Sequence, residues 1–82
     1  MSSQTEPLYV VKMSNGRGLT EWYRSLSYRE QESRKEDART FSKAKAEETA
    51  DFCRRHGDAF SEAYFDEGKG RYVLIAEVEP AD

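Results

Sequence analysis

Lys35-Glu-Asp-Ala-Arg-Thr-Phe-Ser-Lys-Ala-Lys-Ala-Glu-Glu-Thr-Ala-Asp-Phe-Cys-Arg-Arg-His-Gly57 decides the fold, because it encodes an extended entry, a capped helix and a stop within a few turns of chain. Ser42 is placed to be the N-cap, since its hydroxyl can accept from the orphan amides of the first helical turn. Gly57 is expected at C′, where a positive φ costs glycine little. The helix therefore spans residues 43–56. On a 100° wheel Ala46, Thr49, Ala50, Phe52, Cys53 and His56 gather into one arc, with Lys43, Glu47, Asp51, Arg54 and Arg55 outside it. Small residues at Ala46, Ala50 and Cys53 let the helix approach a sheet closely, and Phe41 and Phe52 are expected to fill its edges.

Outward from the helix the signals are those of strands. Leu8-Tyr-Val-Val-Lys-Met13 is β-rich, and Asn15-Gly-Arg-Gly18 supplies a turn. Residues 19–28 form the next strand, with Trp22, Leu26 and Tyr28 on one face and Tyr23 on the other. Residues 29–37 are polar and mostly charged, and read as a solvated loop or a frayed turn. Residues 60–66 and 71–79 form a hairpin around Glu67-Gly-Lys-Gly70. In its second strand Tyr72, Leu74, Ala76 and Val78 share one face and Val73 and Ile75 the other. The expected fold is α+β: one small domain over residues 8–80, ββαββ, a four-stranded antiparallel sheet with one helix on one face. The first and last strands are apolar on both faces and are placed side by side in its middle. Residues 1–7 are expected to be disordered.

One helix cannot cover both faces of such a sheet. A second face drawn from Tyr9, Val11 or their alternates with Val73 and Ile75 is exposed unless residues 29–40 or another chain covers it, which makes a homodimer through that face an expectation.

Composition bounds the function. Of the 82 residues 37% are hydrophobic and 12% aromatic, enough for a small core, and the net charge of −3 is too low for a disordered chain. Met1-Ser-Ser-Gln-Thr-Glu-Pro7 has neither the basic nor the apolar region of a signal peptide, no run reaches membrane-spanning length, and there is one cysteine. A cytoplasmic protein without membrane contact is expected. Charge is uneven: residues 1–28 and 29–57 each carry +1, whereas residues 58–82 carry −5. An acidic surface attached to a neutral body favours a basic partner.

Candidate chemistry is sparse. Cys53 and His56 stand three apart on the helix and resemble half of a zinc site, but the chain holds no further Cys or His, so both are read as structural and neither a metal nor a cofactor is expected. The same pair as nucleophile and base lacks an orienting third group. The two glycine-rich turns precede strands rather than helices and are not phosphate loops. Arg17, Trp22, Tyr23, Arg24, Tyr28, Arg29, Arg34, Lys35 and Arg39 mix basic and aromatic side chains as a nucleic-acid surface does. Glu21, Glu30, Glu32, Glu36 and Asp37 cancel most of their field. The acidic group Asp58, Glu62, Asp66, Glu67, Glu77, Glu79 and Asp82 either engages a basic groove or only solubilises.

The order Tyr9-Val-Val-Lys12, Trp22-Tyr23, Asp37-Ala-Arg-Thr-Phe-Ser-Lys-Ala-Lys-Ala46 and an apolar final strand resembles small phage and prophage accessory proteins, in which a tyrosine-led strand precedes an Ala-x-x-Phe-Ser helix entry. Anti-CRISPR inhibitors are among them. The resemblance carries over no functional residue and implies a mobile-element setting. The functional expectation is a non-enzymatic protein that inhibits or modulates a host protein or nucleoprotein complex by stoichiometric binding. Its expected contact residues are Trp22, Tyr23, Arg24, Glu62, Asp66, Glu67 and Glu77. A nucleic-acid-binding role for residues 17–39 is the alternative.

Overall fold

The computed structural model describes residues 7–25 and 31–82. Strands β1 (Tyr9–Ser14) and β2 (Thr20–Trp22) precede helix α1 (Lys43–Arg55), and the short strands β3 (Phe65–Asp66) and β4 (Arg71–Tyr72) precede β5 (Ile75–Pro80). Single 3-10 turns occupy Lys35–Asp37, Gly57–Ala59 and Glu62–Tyr64. The α+β class with one helix and antiparallel pairing is as expected. The placing of Leu26, Tyr28 and Arg29, and the disorder expected over residues 1–7 except at Pro7, fall outside the described residues.

The four-stranded sheet is not formed. A three-stranded sheet in the order β2-β1-β5 stands apart from a two-stranded hairpin, β3-β4. β1 and β5 are adjacent, with Val11 opposite Val78 and Met13 opposite Ala76, but β5 lies at an edge. The reason lies in residues 60–64. A strand would bring Glu62 inward with Phe60 and Tyr64, because all three share a face at period two. A 3-10 turn capped by the Ser61 hydroxyl, which accepts from the Ala63 N–H, instead sends both aromatic rings into the core and leaves Glu62 outside. The chain then forms the expected hairpin, whose turn places Gly70 at φ +69°. After Tyr72 it leaves the hairpin, buries Leu74 and enters the main sheet at Ile75.

Ser42 caps α1, its Oγ accepting from Lys45 N–H at 3.3 Å. Ala46, Ala50 and Cys53 are buried against β1 and β5, joined in one core by Val11, Met13, Phe60, Tyr64, Leu74 and Ala76. Three details of the helix reading are corrected. Phe52 remains 38% exposed and stacks on the exposed His56 ring at 4.5 Å, so neither belongs to the buried arc. Arg54, expected to be solvated, donates from Nε and Nη2 to the Ala76 carbonyl at 3.2 and 2.7 Å, stitching α1 to β5. Gly57 begins a 3-10 turn without a positive φ. A Cβ there would stand 3.3 Å from Leu74 Cβ and 3.4 Å from Tyr72 Cβ, so close approach, not backbone freedom, requires glycine.

The second face of the main sheet is covered where β1 passes. Val10 is 1% exposed. Residues 31–41 run from Glu32, paired with Trp22, to Phe41, paired with Tyr9. Lys35 on this segment reaches Glu79, opposite Val10, at 3.5 Å and stands 5.9 Å above the Trp22 ring. Gln31 closes the segment: 8% exposed, its carboxamide accepts from Arg24 N–H and donates to the Ser25 carbonyl. The charged stretch keeps the exposed turn expected of it, a 3-10 turn at Lys35–Asp37 without a buried residue, and also lies over the second face as a strap, one of the two expected covers, leaving Ile75 45% exposed at the end of that face.

Candidate functional site

Residues that follow one another in the sequence do not share a surface. Trp22 points to the second face, flanked by Lys12 and Lys35, each 5.9 Å from its ring. Tyr23 points to the helix side, as expected from the period of two. Arg24 forms an ion pair with Glu32 at 3.1 Å. The set Trp22, Tyr23 and Arg24 is thus divided between two faces.

The acidic residues are also dispersed. Asp66 accepts from Lys69 N–H through its carboxylate and from Gly70 N–H through its carbonyl, which makes it the hairpin's organiser. Glu62 accepts from the Tyr72 hydroxyl at 2.9 Å. Glu67 is exposed at the hairpin tip, and Glu77 is exposed on β5. Of the basic-aromatic series, Arg17 donates to the carbonyls of Ala63 and Phe65, fixing the β1–β2 turn to the β3 entry. Arg34 pairs with Glu36 and Asp37, and Lys35 pairs with Glu79. Tyr28 and Arg29 lie outside the described residues.

What the fold does assemble is an aromatic groove beside α1. Tyr23 is held at both ends of its peptide unit: its N–H donates to the Val11 carbonyl at 2.9 Å and its carbonyl accepts from Arg39 N–H at 3.1 Å. Phe41 is fixed by reciprocal 2.8 Å hydrogen bonds with Tyr9. Their rings lie 5.8 Å apart, and Phe60 supports Tyr23 from below with an edge contact at 6.1 Å. The opposite wall is α1, with Lys45, Glu48, Thr49 and Phe52. The open space is ≈ 320 Å³. Arg39 lies over the Phe41 ring at 5.5 Å, while Lys45 is engaged by Glu48 at 3.0 Å. Arg39 is therefore the cation this groove presents. Tyr23 and Arg39 were legible as a basic-aromatic pair; Phe41 and Phe52 were legible only as edge fillers, because nothing in the spacing says that residues 38–41 return beside Tyr23.

Two buried groups are perturbed without taking part in this groove. Burial pushes the Cys53 thiol up to about 12, with Arg54 opposing weakly. A buried thiol held neutral is a poor nucleophile at neutral pH. Burial, reinforced by the hydrogen bond to Glu21, also holds the Tyr64 phenol above its ordinary range. Among the described residues no group of three or more His, Cys, Asp or Glu side chains is arranged to hold a metal ion. Nor is any described helix long and apolar enough to cross a membrane.

Compared with protein-family models, with curated proteins and with solved structures, the chain matches none.

Proposed function

We propose that this protein is a non-enzymatic binding module, and that the groove of Tyr23, Phe41 and Phe52 with Arg39 at its rim is where it takes its partner. The observation that carries this reading is the pre-formed aromatic wall. Tyr23 and Phe41 are already fixed by backbone hydrogen bonds on both sides, so little ordering entropy opposes docking. Aromatic and arginine side chains dominate interface energetics when a partner desolvates them. The chemistry fits a protein segment that inserts an apolar side chain and sets a carboxylate against Arg39. The resemblance to phage and prophage accessory proteins supports a host protein or nucleoprotein complex as that partner, inhibited or modulated by stoichiometric binding.

The nucleic-acid reading is weaker. Arg17, Arg24, Arg34 and Lys35 each engage a carbonyl or carboxylate of this chain, and phosphate would have to displace those contacts. Affinity capture from a host lysate, with and without nuclease, tests the proposal. Nuclease-resistant protein partners that are lost with Arg39→Glu and Phe52→Ala support it. Recovery of nucleic acid alone, unaffected by those substitutions and steeply salt-dependent, overturns it.

A further inference from the structure

The outer edge of β5 carries a hydrogen-bonding pattern that complements itself. Tyr9 exchanges hydrogen bonds with Phe41, and the Val11 carbonyl accepts from Tyr23 N–H, so the odd residues of β1 direct their peptide groups toward the β2 side. Its even residues face β5, where Val10 meets Glu79 and Lys12 meets Glu77. Hence Glu77 and Glu79 bond inward, and Ala76, Val78 and Pro80 present their peptide groups at the open edge. This edge is not uniform. The Ala76 carbonyl already accepts from both Nε and Nη2 of Arg54, which occupies its lone pairs. Pro80 has no N–H to offer.

We propose that this edge pairs with a second copy of itself, antiparallel about Val78. In that register Val78 exchanges both backbone hydrogen bonds with Val78 of the second copy, and Ala76 lies opposite Pro80. The Ala76 N–H donates to the Pro80 carbonyl, and the missing Pro80 N–H falls opposite the carbonyl that Arg54 has filled. A foreign strand of ordinary sequence would leave an N–H facing the filled carbonyl and a carbonyl facing proline, each an unmade bond. The second copy is the occupant that leaves none. On the strap side Glu77 of each copy falls opposite Glu79 of the other, and Lys12 and Lys35, which stand 4.0 and 3.5 Å from Glu79, offset that like-charge pair. On the helix side Glu47 and Arg54 both line the groove of ≈ 480 Å³ above Ala76 and Val78. A two-fold axis at Val78 sets each Glu47 toward the other copy's Arg54. The aromatic groove lies on the other flank of α1 and is left open in such a pair.

Sedimentation equilibrium from micromolar to millimolar protein, with hydrogen exchange of individual amides, tests the proposal. The expected result is a monomer–dimer equilibrium in which the Ala76 and Val78 amides gain protection as concentration rises. Val78→Pro removes an outward N–H and no bond to β1, and should abolish the dimer while the far-ultraviolet spectrum of the fold persists. A monomer at millimolar concentration overturns the proposal, as does a dimer that survives Val78→Pro or whose Val78 amides stay unprotected.

Discussion

Tyr64 and Glu21 are joined through the base of the core: the phenol, buried beneath the 3-10 turn, donates to Glu21 Oε1 on β2 at 2.8 Å. The bond ties the segment that replaced a fourth strand to the sheet that lacks it. It also explains how an aromatic residue with a polar end is accommodated among Cys53, Leu74 and Met13, since a buried hydroxyl without a partner would oppose folding. Tyr64→Phe removes the donor and leaves the Glu21 carboxylate facing apolar carbon. Stability should fall by about 1–2 kcal/mol with little change in the cooperativity of unfolding. Urea denaturation followed by circular dichroism checks this; an unchanged midpoint would mean that water serves Glu21 equally well.

Gly57→Ala should destabilise by about 1–3 kcal/mol, because the added methyl meets the Cβ atoms of Leu74 and Tyr72, which cannot rotate away. If Gly57 were instead a helix stop of the left-handed kind, asparagine would rescue what alanine loses. Here Gly57→Asn should be worse than Gly57→Ala. Melting temperatures of the two variants separate the explanations.

These two residues show where the sequence could be read and where it could not. Ser42 and the Ala46, Ala50 and Cys53 stripe obey local rules, and the structure follows them, as it does in the hairpin turn at Gly70 and in the pairing of the first strand with the last. Gly57 was recognisable as a special position, but the neighbours that demand glycine come from residues 72 and 74, and no local signal announces them. Phe60 and Tyr64 stand four apart, a spacing that strand and turn both accommodate. Only the polarity of Glu62 between them distinguishes the two, and it does so once the core is known. For a different reason, the sequence leaves open whether the strap of residues 31–40 or another chain covers the second face. The strap's one buried side chain is Gln31, and Lys35 is held through its ammonium by Glu79 and the Trp22 ring, residue types whose usual place is solvent. The groove depends on that strap and was hidden with it.

Alkaline lability should follow from Cys53. The unfolded thiol ionises near its ordinary value of 9.0, whereas the folded one is pushed up to about 12 by burial. The folded state thus retains a proton that the unfolded state releases. This contribution is intact below pH 9.0 and is lost as pH rises through that window. Tyr64, raised in the same direction, steepens the loss at the upper end. Cys53→Ala should flatten the dependence of unfolding free energy on pH just above 9.0, whatever it does to absolute stability. Thiol reagents should modify Cys53 only at the rate of unfolding, so a fast reaction in the native state would contradict the burial on which this rests.

Phe52 and Phe60 offer the sharpest contrast between composition and position. A helical wheel places Phe52 among the core residues, yet it stands at the open wall of the groove, 38% exposed against His56, while Phe60 is 1% exposed beneath Tyr23. Phe60→Ala should therefore cost about 3–5 kcal/mol, the lost transfer energy plus a cavity that the Tyr23 ring cannot collapse into without leaving its backbone hydrogen bonds. In a domain of this size that is enough to unfold much of the population. Phe52→Ala removes a ring that solvent already reaches on one side, and should cost no more than about 1 kcal/mol. The two variants also divide function from folding. Phe52→Ala should retain the native circular dichroism spectrum and lose partner capture, whereas Phe60→Ala should lose both together. If Phe52→Ala unfolds the protein as Phe60→Ala does, the ring is part of the core, and the groove is not available to a partner in the form described.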